Sequence, residues 1–376
     1  SGLWIQQVSV GWLTYEITGS AFLLGVVNGF RSLPLLFLAP FGGVVADRLD
    51  PKRLMLSTQL FLVAVTAVFA TVVLTGQAQV WNIILFTLLT GVAWAFNLPV
   101  RQSVVPSLVP RPALPTAIAL NSVGRNITRV LGPSLGGVLI ATVGVAGNFY
   151  LQSLAYVGVA TMVVMTVFPP IRRASRQVSV VGNLVEGAVY VWRHPTLRAQ
   201  MALALIPSVI AMPYNALMPI FAEDILHVGP EGYGALLSAA GLGAFVGTFV
   251  VASLGDYKRK GRFLFASILG FGISLILFAQ SQSFVASLVL LALVGGCSMT
   301  YMTINQTLLQ LSSSDEFRGR VMGIYMLDQG LVPLGSMLAG LLAEVWGAPT
   351  AVVVMGGSVV LLCAVSFALM PALRDA

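Results

Sequence analysis

The sequence predicts an all-α integral membrane protein whose twelve transmembrane helices form two pseudo-symmetric six-helix bundles. Three observations support this fold: the composition, the spacing of the apolar stretches, and the placement of Lys and Arg on alternate loops. Apolar residues make up 57% of the 376-residue chain and charged residues only 9%, whereas a soluble protein carries about 25% charged residues. Because so few charges cannot cover a water-facing surface, we expect the chain to lie in a membrane.

The twelve spans follow from the apolar stretches, each long enough for the roughly 20 residues that cross a bilayer. These stretches lie near residues 1–17, 21–46, 53–75, 80–104, 114–140, 145–168, 197–225, 232–254, 262–280, 284–311, 318–344 and 348–370. We therefore predict an N-terminal bundle over 1–168, a cytoplasmic linker over 169–196 and a C-terminal bundle over 197–376. The chain opens inside an apolar stretch, so the first helix is expected to be truncated at its N-terminus.

The basic residues predict the orientation, because Lys and Arg accumulate in cytoplasmic loops. Seventeen of the 20 fall in the tail or in every second loop: Arg48, Lys52, Arg53, Arg101, Arg111, Arg172, Arg173, Arg176, Arg193, Arg198, Lys258, Arg259, Lys260, Arg262, Arg318, Arg320 and Arg374. Both termini are therefore expected inside the cell, in a bacterial plasma (inner) membrane. The net charge of +7 is then expected to face membrane lipid and not nucleic acid.

The linker contains its own helical pattern. Val185, Ala188 and Trp192 recur at helical spacing, with Glu186 and Arg193 on other faces. This pattern predicts an amphipathic helix at the cytoplasmic interface. Two roles stay open for it, a tether between the bundles and a regulatory element.

A loop motif occurs once in each half. Ala46-Asp47 before Lys52-Arg53 is matched by Gly255-Asp256 before Gly261-Arg262. Paired six-span halves are a transporter architecture in which the substrate lies between the halves near the midplane. Rocking of one half against the other then gives alternating access.

The same motifs resemble a known family. Gly43–Arg53 resembles the signature of the major facilitator superfamily, except at Asp50 and Pro51, where that family has Gly and Arg. Gly132–Gly137 is similar to the core of the antiporter motif. Further segments are similar to the branch that contains macrolide-efflux proteins and the enterobactin exporter. They are Trp12–Ser20, Pro99–Gln102, Asn121, Asn126 and Arg129. The resemblance implies a transporter of the exporter branch.

Two sets of residues are candidates for conformational roles. The first is a latch in which the acid of the loop pairs with a basic side chain and favours one state, formed by Gly43, Asp47, Arg48, Arg53, Asp256 and Arg262. A static, solvated charge cluster is the alternative. The second set is Gly132, Pro133, Gly136 and Gly137, for which the resemblance implies a seal against ion leak and the residue types alone imply close helix packing. For Gly25/Gly29 and Gly243/Gly247 we expect packing.

Charged residues inside spans are candidate site residues, since a charge at the bilayer centre costs roughly 2.5–3.5 kcal/mol. Asp328 and Glu16 are the candidate proton carriers, and a permanent ion pair with Arg is the alternative for each. The candidate substrate cavity is lined by Arg31, Trp94, Asn97, Asn121, Arg125, Arg129, Tyr214, Tyr301, Gln306 and Tyr325. The basic surplus could bind an anionic or zwitterionic substrate, or it could keep the carboxylates ionised until substrate or voltage shifts them. The aromatic groups suit bulky amphiphilic compounds. Any single member could instead face lipid or the core.

The predicted function is secondary active transport by a protein that is not an enzyme. The sequence has no G-x-x-x-x-G-K-[ST] motif for ATP, and its two histidines and two cysteines are far apart, so no cofactor or metal is expected. We predict a monomer that exports a bulky organic compound, a drug or a siderophore, in exchange for protons. A proton-coupled importer of a small nutrient and a non-transporting assembly or sensor protein are the alternatives.

Overall fold

The structure is a computed structural model that describes residues 2–104, 108–166, 168, 180–254, 260–328 and 331–370. Within these ranges, some side chains lie outside the description: those of residues 32, 35–36, 39–48, 102–103, 111, 115, 119, 122, 125, 180–181, 183–184, 254 and 326–328. The described residues are almost entirely helical. Contacts divide the chain into two units, the first with residues 1–19 and 27–177 and the second with 20–26 and 178–376.

The helices of the first unit begin and end close to the predicted stretches. They are α1 (Gly2–Thr18), α2 (Ala21–Arg48), α3 (Pro51–Leu74), α4 (Val80–Val104) and α5 (Leu114–Met165). Residues 20–26, at the start of α2, cluster with the second unit. α5 covers two predicted spans, and Gly144 separates them because its φ of 73° is not helical. The two spans are thus joined without a loop.

The second unit begins with the amphipathic helix and continues through the remaining spans. Its helices are α6 (Val180–Arg193), α7 (Pro195–Leu205), α8 (Met218–Ile220), α9 (Gly229–Leu254), α10 (Lys260–Ala279), α11 (Phe284–Ser312), α12 (Arg318–Asp328), α13 (Val332–Trp346) and α14 (Ala348–Leu369). Between α7 and α9 the chain passes through π-helical and 3₁₀ turns over Ile206–Ala211, Met212–Leu217 and Phe221–Ile225. The predicted span 197–225 is therefore an irregular helix.

Eight helical segments among the described residues are long and apolar enough to cross a membrane. Shorter apolar helices cover Ala21–Arg31 and Val332–Trp346. Each of the twelve predicted stretches coincides with helix in the described part of the chain. The all-helical membrane fold is confirmed, and the exact number of crossings stays a prediction.

Each unit has its own core. In the first, Phe69, Phe86 and Phe149 bring α3, α4 and α5 together, with the Phe69 and Phe86 rings stacked at 4.2 Å between centroids. In the second, α9 and α11 touch through glycines. A Cβ atom at Gly243 would overlap the carbonyl oxygen of Ala292. The backbones of these two helices are therefore in direct contact.

Candidate functional site

A network of buried polar side chains lies inside the first unit. Gln6 of α1 donates from Nε2 to Thr90 Oγ1 of α4 at 3.0 Å. Gln152, in the second span of α5, donates from Nε2 to the Tyr156 hydroxyl at 3.0 Å and lies 3.4 Å from Gln6 Oε1. All four side chains are at most 4% exposed. We call Gln6, Thr90, Gln152 and Tyr156, together with Asn148, the amide network.

Asn148 extends the network toward the antiporter-like motif. Its Nδ2 donates to Ser9 Oγ at 2.6 Å and lies 3.3 Å from the carbonyl oxygen of Gly136. The Oδ1 atom of Asn148 and the Oε1 atom of Gln152 are buried and have no hydrogen-bond partner among the described residues. An unpaired buried polar atom is costly in a membrane protein. These two oxygens lie inside the helix packing, where a bound water can supply the missing donor.

The amide network was missed from the sequence, although a signal for it exists. Asn148, Gln152 and Tyr156 are four residues apart and so share one face of a helix. Charge marks a candidate site residue in a span, and a stripe of neutral polar residues carries no charge.

Arg31 lies beside this network. Its guanidinium is half-buried and donates from Nη2 to Gln7 Oε1 at 3.4 Å. Trp94 packs in a cluster with Tyr156. The predicted cavity residue Asn97 is 1% exposed and donates to Thr58 Oγ1 of α3 at 2.8 Å. Its amide group therefore joins two helices.

The antiporter-like motif packs on α1. A Cβ atom at Gly132 would lie 2.8 Å from Cβ of Trp4, and one at Gly136 would lie 3.2 Å from Cβ of Val8. Pro133 and Gly137 are buried as well. The guanidinium of Arg129 lies over the Trp4 ring at 5.8 Å from its centroid. The motif thus brings α5 close to α1 and places a half-buried cation beside an aromatic ring.

The departure from the family signature has a structural reason. Asp50 caps α3, since its carboxylate accepts from the backbone N–H groups of Lys52 at 2.8 Å and Arg53 at 3.2 Å, and Pro51 occupies the first helical turn. An acceptor side chain such as Asp is preferred at the N-cap of a helix, and proline is preferred at the first helical position. Lys52 Nζ donates to the carbonyl oxygens of Val164 and Thr166 at 2.7 and 3.0 Å. Lys52, which the sequence analysis placed in the loop motif but not in the latch, therefore caps the end of α5.

The predicted latch cannot be assembled from the described side chains. Gly43, Asp47 and Arg48 lie in the last turns of α2 and their side chains lie outside the description, as does all of Asp256. Arg53 and Arg262 are exposed. The latch stays a prediction.

The predicted aromatic residues of the second unit are buried. Tyr214, Tyr301 and Tyr325 are at most 9% exposed, and Tyr325 belongs to a core cluster. One turn after Tyr301, Asn305 is 1% exposed, and neither of its amide atoms has a hydrogen-bond partner within the part of the chain that the structure describes. Gln306 is half-buried. Asn305, together with Oε1 of Gln200, thus corresponds to the unpaired amide atoms of the first unit.

The remaining candidates have simpler surroundings. Glu16 is exposed, two residues before the end of α1, and Asn121 is half-buried in α5. Arg125 lies in α5 and Asp328 is the last residue of α12, and both side chains lie outside the description.

An acidic cap holds the start of α2 to α13 inside the second unit. Ser20 Oγ accepts from the N–H group of Leu23 at 3.2 Å and donates to Glu344 Oε2 at 3.1 Å. The same carboxylate oxygen accepts from the N–H group of Phe22 at 3.1 Å. A Cβ atom at Gly340 would lie 2.6 Å from the carbonyl oxygen of Ala21. Glu344 therefore satisfies donors that a helix start leaves open.

Replacing Glu344 with alanine is expected to lower the stability of the purified protein by about 1 kcal/mol, because the first turn of α2 loses its acceptor. Thermal unfolding in detergent measures the change. Glu344→Gln keeps an acceptor oxygen and removes the charge, so its loss should be smaller. Equal stability of Glu344→Ala and the parent would show that the cap contributes nothing.

Solved structures of transporters share this fold. The nucleoside transporter NupG superposes with a TM-score of 0.75 at 16% identity over 98% of this chain and 97% of its own. A bacterial homologue of the lysosomal transporter Spinster, in an inward-facing occupied state, gives 0.76 at 14% over 100% and 96%. The inward-open xylose transporter XylE from E. coli gives 0.72 at 12% over 97% and 93%. The protein therefore has the major facilitator fold of multi-pass membrane transporters.

Sequence comparison assigns the chain to one family within this fold. Residues 1–376 match the family of transmembrane secretion effectors (MFS_3), and the chain belongs to that family. The staphyloferrin A transporter of Staphylococcus aureus is 27% identical over 96% of this chain and 90% of its own. Macrolide efflux protein A of Streptococcus pyogenes is 25% identical over 90% and 85%, and the multidrug efflux pump Tap of Mycobacterium tuberculosis 25% over 91% and 84%. The predicted superfamily is confirmed, and the chain is a membrane transporter and not an enzyme.

Proposed function

We propose that the protein is a proton-coupled antiporter that exports a bulky organic compound by alternating access. The observation that carries this proposal is the set of relatives that align along nearly the whole chain. They are named as a siderophore transporter, a macrolide efflux protein and a multidrug efflux pump. In the proposed topology the protein is a monomer in a bacterial plasma membrane with both termini in the cytoplasm.

The chemistry of the first unit supports a large, partly polar substrate. Arg31 and Arg129 supply half-buried guanidinium groups, and Trp4 and Trp94 supply aromatic surface. Such a mixture of broad apolar surface and few polar groups is typical of sites for amphiphilic compounds.

Export coupled to protons can be measured in inside-out membrane vesicles from an overexpressing strain. A growth screen against toxic compounds first selects a substrate, by the resistance that overexpression confers. An imposed proton gradient, acidic inside, should then drive uptake of that compound, and a protonophore should abolish it. Vesicles from cells with the empty vector are the control.

Two other outcomes decide against the proposal. Uptake in right-side-out vesicles that is driven by a gradient acidic outside would show an importer. Absence of gradient-dependent movement for every compound to which the strain is resistant would favour an assembly or sensor role.

A further inference from the structure

Helix α6 is held to the start of α12 along one face. Gly187 is buried there, since a Cβ atom at this position would lie 3.0 Å from both Cβ of Arg320 and Cδ1 of Ile324. The ring of Tyr190 stacks on Phe317, with 4.3 Å between centroids and 7° between planes. This face of α6 is therefore already occupied.

Hydrogen bonds and an ion pair fix the same contact. The carboxylate of Glu186 lies 3.2 Å from Nη2 of Arg320. The hydroxyl of Tyr190 accepts from the N–H group of Ser314 at 3.3 Å. Because Glu186 already faces a basic partner, its charge does not offset the basic residues at the end of the helix.

Another face of α6 is apolar and exposed. Val185, Val189 and Trp192 are spaced by four and three residues, and so lie in one row. Their exposed fractions are 57%, 44% and 72%, and Ala188 beside them is exposed too. We call these four residues the apolar row. A row this exposed needs a partner, because soluble surfaces rarely leave large apolar residues together.

The position of the row along the chain indicates what covers it. α6 ends at Arg193, and the candidate membrane span Pro195–Ile225 begins after the single residue His194. Trp192 therefore lies within one turn of the start of a span. Trp residues concentrate at this depth, where the bilayer meets water.

The charges beside the row select the lipid. Arg193 and Arg198 are exposed at the end of the row, and the guanidinium of Arg198 lies over the Trp192 ring at 5.4 Å. An apolar face with basic residues at its border is the pattern of helices that bind anionic membrane surfaces.

We propose that α6 docks on the anionic phospholipid surface of the inner leaflet, with the apolar row inserted and Arg193 and Arg198 at the headgroups. This proposal rests on one part of the proposed function, namely that α6 lies on the cytoplasmic side of the membrane with the basic loops. The opposite face of α6 contacts Arg320 and Phe317. Docking of α6 on the membrane therefore also holds the start of α12 in place. Lipid composition is then expected to affect the position of α12, the helix that ends at Asp328.

A fluorescent label on the row tests the docking. Replacing Cys297 and Cys363, the two cysteines of the chain, gives a background in which Ala188→Cys carries an environment-sensitive dye. The matched control is Glu316→Cys, an exposed position in the segment just before α12. The full-length protein is reconstituted in vesicles of phosphatidylcholine alone or mixed with phosphatidylglycerol, each with and without brominated acyl chains.

We expect brominated lipid to quench the dye at 188 at least roughly twofold more than at 316, and phosphatidylglycerol to increase the difference. The variant Arg193→Gln/Arg198→Gln should lose the response to phosphatidylglycerol. Equal quenching at both positions would overturn the proposal, as would quenching that is unchanged by phosphatidylglycerol. Copy-to-copy cross-linking through Ala188→Cys, independent of lipid, would assign the row to a second copy instead.

Discussion

Replacing Gly243 with valine is expected to shift the folding equilibrium of the second unit by roughly a hundredfold. The added Cβ atom would overlap the carbonyl oxygen of Ala292. The same crossing brings Gly295 against the carbonyl oxygen of Ala240, and a Cβ atom at Gly247 would lie 2.5 Å from that of Gly296. Overpacking costs about 1–3 kcal/mol when side chains can move, and here the obstacle is backbone, which puts the cost at the upper end.

The measurement is the yield of monodisperse transporter after extraction in detergent, together with its thermal unfolding. Gly357→Val is the matched control, because a Cβ atom at Gly357 of α14 would meet nothing within 4 Å. The control should give near-parental yield. If both variants are equally stable, α9 and α11 do not require their close approach.

The glycine packing was predictable because spacing alone encodes it. Gly243 and Gly247 are four residues apart, and small residues at that spacing allow helix backbones to touch. The break at Gly144 was harder to place. The sequence showed only a short interval between two apolar stretches, and a single left-handed glycine replaced the expected loop.

Prolines explain why the span over 197–225 is irregular. Pro207, Pro213 and Pro219 each lack an N–H group, so a regular ladder of hydrogen bonds cannot run through them. The chain instead uses π-helical and 3₁₀ turns. Hydropathy detects the span but is insensitive to this change of geometry.

The candidate site was predictable only in part. Charged residues such as Arg31 and Arg129 could be found because charge is rare in a span. The amide network could not be found by charge, and which helix faces meet depends on packing. Asn97 is an example of a residue whose surroundings the sequence does not reveal. Its position in the span favoured a cavity-lining role, whereas its side chain forms a hydrogen bond with Thr58.

Of the two candidate proton carriers, Asp328 is the better placed by its position in the chain. Glu16 is exposed two residues before the end of α1, near the end of its predicted span. Asp328 ends α12, ten residues after the helix begins, and the predicted span continues to residue 344. A carboxylate at that depth is costly unless it is protonated or paired, and we propose that this cost couples its charge to a conformational change.

Asp328→Asn is therefore expected to abolish uphill transport while leaving downhill exchange intact. One proton moving through 100 mV supplies about 2.3 kcal/mol, enough for a roughly fiftyfold concentration ratio. With asparagine fixed in the neutral form, the ratio in inside-out vesicles should fall to about one. Exchange of labelled for unlabelled substrate, and thermal unfolding, show that the variant folds and binds. Glu16→Gln and Asp315→Asn should retain accumulation. If Asp328→Asn accumulates substrate normally and Glu16→Gln does not, the proton travels on Glu16, and exposure has been the wrong guide to the coupling residue.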